Sequence, residues 1–167
     1  MKAINKFLVA VALTLPLLSA CKKDDAAAAG ETKAAPVVTA APTGEDDTQW
    51  SAYLTSVVRA NMEGVEGTPF VYYLPGPSSP DYKGAKDRLL TQVQNDVARG
   101  VLPGNMLAFS SPDSAAAAAM AADALGYAEP NSMRGVTVLF IGKPADQGVV
   151  KAAADKAGAT FKFIEVK

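Results

Sequence analysis

Three short runs could bring polar side chains to one place: Ser79-Pro80-Asp81, Ser111-Pro112-Asp113 and Lys143-Pro144-Ala145-Asp146. Each follows an apolar stretch and precedes a helical one. Each therefore reads as a helix start, with a capping residue, a proline in the first turn and an acid near the positive end of the helix dipole. Capping by itself accounts for all three runs. Read as a site instead, Ser79, Asp81, Tyr82, Ser111, Asp113, Lys143 and Asp146 share one rim and would bind a polar ligand or a partner. The acids already occupy the helix N-termini that an anion would want, and no glycine-rich cradle accompanies them. A cationic or sugar-like ligand suits that charge better than a phosphate.

The inventory of reactive side chains is short. The chain has no histidine, and Cys21 is its single cysteine. Zinc sites, cysteine or histidine nucleophilic dyads and thiol redox chemistry lack the groups they need. The three aspartates of the rim do not have metal-ligand spacing, so no metal or cofactor is expected. No Gly-x-Ser-x-Gly elbow, P-loop or dinucleotide fingerprint occurs. A weak hydrolase using paired carboxylates leaves no fixed spacing in sequence and has nothing positive behind it. The expectation is a protein that is not an enzyme.

Cys21 stands where an apolar N-terminal run ends. Lys2 and Lys6 form a basic head, Phe7 to Leu18 is almost uninterrupted apolar sequence, and the small residues Ser19 and Ala20 precede the cysteine. This is the three-part layout of a secretory signal peptide over residues 1–20. The run is about a dozen residues, short of the roughly 20 that a membrane-spanning helix needs. Leu18-Ser19-Ala20-Cys21 resembles the lipobox of bacterial lipoproteins, over residues 1–21 only. The resemblance implies a diacylglyceryl thioether on Cys21, cleavage just before it, and a further acyl group such as palmitate on the new amino terminus. It also accounts for a lone thiol in an exported protein, where cysteines are generally paired. In the enteric sorting pattern an Asp after the cysteine favours inner-membrane retention. Here that residue is Lys22, so the resemblance implies an outer-membrane anchor with the domain facing the periplasm of a two-membrane cell.

Removing residues 1–20 takes away Lys2 and Lys6 and no acid, which leaves 14 basic against 17 acidic side chains and a formal charge of −3. Nucleic-acid binding calls for a basic face and is not expected. Residues 21–47 are mostly Ala, Thr, Pro, Gly and charge, with Val37 and Val38 as the only large apolar residues. Too little apolar surface is available to offset the entropy of ordering them, so they read as a tether spanning roughly 25–30 Å.

From residue 48 onward the pattern is that of one domain. An amphipathic helix of about 14 residues is expected first, with Trp50, Leu54, Val57 and Val58 at helical spacing, Asp47 or Thr48 as cap, and Gly64 and Gly67 beyond its end. The chain then alternates: a strand at 68–74, a helix at 80–99, a strand at 105–109, an alanine-rich helix at 112–125, a strand at 136–141, a helix at 144–157 and a strand at 160–166. Val136 to Ile141 (Val-Thr-Val-Leu-Phe-Ile) is the most apolar of the strands, as in a strand covered on both faces. Lys162 and Lys167 suit an edge. This alternation implies right-handed crossovers and an α/β fold: a small three-layer sandwich around a four-stranded, mainly parallel sheet, with an additional N-terminal helix. The strand order 2-1-3-4 is compatible with it, and ligands of such sheets sit where the order reverses.

Two loops complete the candidate surfaces. Leu74 to Pro80 is rich in proline, with Tyr72, Tyr73 and Tyr82 at or beside it; in a strand such tyrosines read first as half-buried core. Tyr127 to Arg134 is expected at the opposite end, with Met133 and Arg134 exposed. The leading expectation is a lipid-anchored module that binds another envelope protein, either as an immunity- or inhibitor-type protein or as an accessory subunit of an envelope complex. The alternative is a binder of small polar ligands, or a weak hydrolase, using the Ser/Asp rim.

Overall fold

The computed structural model describes residues 40–167. The signal peptide, Cys21 and the tether up to Thr39 lie outside the described residues. The elements are α1 (Asp47–Ala60), β1 (Pro69–Tyr73), α2 (Tyr82–Ala98), β2 (Met106–Ser110), α3 (Ser114–Leu125), β3 (Thr137–Gly142), α4 (Gln147–Ala157) and β4 (Thr160–Glu165). All three strand pairings are parallel, as helices of ten or more residues between strands require. Among the described residues no helix is long and apolar enough to cross a membrane.

The sheet order is β1-β2-β3-β4, which corrects the order 2-1-3-4. Right-handed crossovers that always step in one direction leave every connecting helix on the same face. Val93 and Val97 of α2, the alanines of α3, and Val150, Ala154 and Ala157 of α4 accordingly share one core with Leu107, Phe109, Val138 and Phe140. The opposite face is covered by α1, whose Trp50, Tyr53, Leu54 and Val58 pack on Met106, Ala108, Leu139 and Ile141. In the other order α2 would need the space that α1 fills. The observed order never reverses, so the sheet has no crevice of the kind that a reversal creates.

Burial follows the layers. β2 and β3 are buried at every position, while β1 and β4 form the edges. In α3, Ala117, Ala118, Ala121 and Ala124 are buried, and their small side chains let the helix lie close to the sheet. Gly142 ends β3 at a tight point, where an added methyl group would stand 2.6 Å from both Phe140 Cζ and Ser114 Oγ. Lys162 on β4 donates through Nζ to the carbonyl of Glu63 at 2.9 Å, which ties that edge to the segment after α1.

The domain starts earlier than residue 48. Asp46 is the N-cap of α1, and its Oδ1 accepts from the Gln49 N–H at 2.8 Å. Trp50 donates through Nε1 to the Gly44 carbonyl at 2.7 Å, and Ala41 packs on the α1 core. The helix begins at Asp47, so Asp46, whose side chain folds onto the first turn, caps it rather than Asp47 or Thr48. The helix stops at Ala60, ahead of Gly64.

Candidate functional site

The C-terminal ends of β1, β2 and β3 form one rim, and the acids on it serve first as helix N-caps. Asp81, Asp113 and Asp146 are the N-caps of α2, α3 and α4. The caps are thus the acids rather than Ser79, Ser111 or Lys143, and Pro80, Pro112 and Pro144 precede the helices instead of sitting in their first turns. The Asp113 carboxylate does cap, accepting from the Ala116 N–H at 3.1 Å. The other two side chains make no cap bond. Asp81 instead pairs with Arg88 at 2.6 Å across exposed surface, where such a pair contributes about 0–1 kcal/mol.

This difference gives a test. Asp113→Ala should cost about 1 kcal/mol, whereas Asp81→Ala and Asp146→Ala should each stay within about 0.5 kcal/mol, all read by urea denaturation. Equal costs at the three positions would refute the capping assignment.

The serines are committed to the scaffold. Ser111 is buried, and its Oγ accepts from the Asp113 N–H at 3.0 Å. Two serines that the sequence pattern did not single out do similar work. Ser110 Oγ donates to the Ile141 carbonyl at 3.0 Å, and Ser114 Oγ accepts from the Lys143 N–H at 2.7 Å. Each cross-links the rim ends of neighbouring segments. Ser79 belongs to the turn that starts α2, where its backbone N–H donates to the Gly76 carbonyl at 3.0 Å.

Asp113, Lys143 and Asp146 are brought together in an open recess of about 440 Å³, along with Glu45, Ser114 and Pro112. Ser79, Asp81 and Ser111 do not line it. Composition assigns Glu45 to the tether, yet its Oε2 accepts from the Ser78 N–H at 2.9 Å and pins the proline-rich loop. Tyr82 stands close enough for the charges of Asp113 and Glu45 to act on it; burial first, and then those charges, push its phenol above the ordinary value. Three carboxylates and one ammonium around an open recess suit a polyamine or a polyol. Among the described residues, no group of three or more Asp, Glu, Cys or His side chains is arranged to hold a metal ion.

The tyrosines divide between core and edge. Tyr72 is buried and donates to Asp96 Oδ2 at 3.0 Å. Tyr73 is half-buried, stacks on Trp50 at a centroid distance of 6.2 Å and donates to Asp47 Oδ1 at 2.8 Å. Burial raises the Tyr73 phenol, and the hydrogen bond to Asp47 with the charges of Asp47, Glu45 and Asp46 raises it further. Three acids therefore surround the C-terminal end of β1.

The loop after α3 corrects one expectation. Met133 is 2 % exposed, because the loop is bonded to the end of α4 through Asn131 N–H to the Lys156 carbonyl and Met133 N–H to the Ala157 carbonyl. That bonding turns the Met133 side chain into the core and leaves Arg134 and Tyr127 outside. The sequence pattern also missed the apolar surface at β1: Phe70 is 39 %, Val71 45 % and nearby Leu102 73 % exposed. The absence of any charge between Pro69 and Tyr73 was the available signal. No family model, curated protein or solved structure matches the chain.

Proposed function

We propose that this chain is a lipid-anchored envelope protein, held at the outer membrane through Cys21, whose periplasmic α/β domain binds another envelope protein and catalyses no reaction. One observation carries the binding half: Phe70, Val71 and nearby Leu102 leave exposed apolar surface at the uncharged edge strand β1. Apolar surface concentrated in one place marks an interaction site, whereas scattered residues do not. The anchor half rests on the lipobox resemblance, and an immunity-type role or an accessory subunit fits both halves.

The test is photo-crosslinking in cells, with p-benzoylphenylalanine placed in turn at Phe70, Tyr127 and Lys143. A discrete heavier adduct from one position and not the others supports the reading; no adduct from any position defeats it. The recess of Glu45, Asp113, Lys143 and Asp146 favours a second reading, a binder of polyamines or sugar fragments. Such a ligand at a hundred times its dissociation constant would add about 2.7 kcal/mol of stability, and a thermal-shift screen without any response removes that reading.

A further inference from the structure

Edge strands expose a row of unpaired backbone groups, and soluble proteins guard them with charge, bulges or cover. β4 carries Lys162 and Glu165. β1, Pro-Phe-Val-Tyr-Tyr, carries no charge.

The bonding pattern shows which groups of β1 are open. The Thr68 carbonyl accepts from Met106 and the Leu74 N–H donates to Ser110, so Thr68, Phe70, Tyr72 and Leu74 turn their backbone toward β2. Pro69, Val71 and Tyr73 turn theirs outward. The proline, which has no N–H, stands on the open side, where an edge tolerates it. Among the described residues no other strand pairs with this side, so the N–H groups of Val71 and Tyr73 and the carbonyls of all three remain for one.

Two recesses flank this edge, one on each face. On the α1 face, Val71 and Tyr73 with Ser51, Leu54 and Thr55 line about 260 Å³. On the other face, Phe70, Val101, Leu102 and Leu107, together with Asp96 and Arg99, border about 240 Å³. A strand laid along β1 would send successive side chains alternately into the two, the arrangement by which strand addition obtains specificity.

Charge selects the occupant. Glu45, Asp46 and Asp47 stand at the Tyr73 end, and exposed Glu66 lies three residues ahead of Pro69 at the other. Arg99, the cation that lines the second recess, is paired with Asp96. Antiparallel pairing with a second copy about Val71 would set the Glu45 to Asp47 end of each chain against the Glu66 end of the other, like charge against like. We propose that the open edge of β1 is a strand-addition site for an extended segment of a partner protein, apolar at alternate positions and carrying Lys or Arg at its ends. This rests on the partner-binding reading above.

The probe is a fluorescein-labelled peptide of alternating valine and threonine with lysine at both ends, titrated onto the full lipidated chain in detergent and followed by anisotropy. Saturable binding is expected, about tenfold weaker for the same peptide with glutamate ends, and about tenfold weaker for Val71→Lys. Val71 is partly exposed, so the variant should keep its fold, which a thermal melt checks. Methylating alternate backbone nitrogens of the peptide should also abolish binding.

No binding by the lysine-ended peptide up to about 1 mM, or binding indifferent to Val71→Lys or to the end charges, overturns the proposal. A dimer by light scattering that Val71→Lys dissociates would make a second copy the occupant and overturn it too. So would binding seen only after residues 22–39 are deleted, which would make the tether the occupant. Crosslinks from Tyr127 or Lys143 in cells, with no peptide bound, would overturn the edge and leave the partner-binding reading standing.

Discussion

On the proposed lipid anchor, Cys21→Ser is expected to abolish labelling of the protein by an alkyne analogue of palmitate and to leave the twenty-residue leader attached. This effect is all or none because the thiol is the one group in the chain that can take the thioether, and in the lipoprotein pattern cleavage follows lipidation. Each acyl chain buries its methylenes at about 0.8 kcal/mol apiece, and stable anchoring takes more than one chain. Intact-mass measurement of the native product reads both consequences together: lipid added to a chain beginning at Cys21, against an uncut, lipid-free serine variant. A wild-type mass with a free thiol at that position, or a serine variant that still labels, would remove the anchor and the localisation with it.

Phe140→Ala lowers the stability of the domain by about 3–5 kcal/mol, read as a fall in the urea midpoint at unchanged slope. Phe140 is fully buried on β3, stacks with Phe163 at 6.1 Å between centroids, and lies in the core that α2, α3 and α4 share with the sheet. The surroundings cannot collapse into the gap, because the alanines of α3 are already small and their helix already lies close to the strands. Phe70→Ala is the control. The same truncation on the open edge should cost under about 1 kcal/mol, since a partly exposed ring loses less burial and leaves no sealed cavity. Similar losses at the two positions would mean that β1 is not the exposed edge described here.

The elements were legible in the sequence because each carries its own period. The uniformly apolar Val138 to Ile141 reads as a strand covered on both sides, and the alanine run reads as a helix lying close to a sheet. The strand order was not legible. Crossover handedness says on which side a connecting helix lies only once the direction of each step is known, and that direction depended on α1 filling a face by itself. The rim was partly legible: Asp113, Lys143 and Asp146 do converge, but as parts of helix starts. Glu45 was hidden by a stretch whose composition resembles a linker. Ser110 and Ser114 were hidden because they are the last residue of a strand and the first residue of a helix, where nothing in the local pattern marks a hydroxyl that bonds to a distant backbone group. Met133 was misplaced because its burial depends on two bonds to the end of α4, a contact remote in the chain.

The chain enters the fold through α1, and α1 holds to the sheet by side chains and not by a ladder of backbone bonds. A pull on the chain ahead of residue 47 is therefore carried first by the Gly44, Asp46 and Trp50 contacts. With increasing load the helix would peel away as a unit, exposing Met106, Ala108, Leu139 and Ile141 while the four strands stay paired. Tension entering the domain ahead of α1 would thus bare the underside of the sheet before it reaches the edge strand.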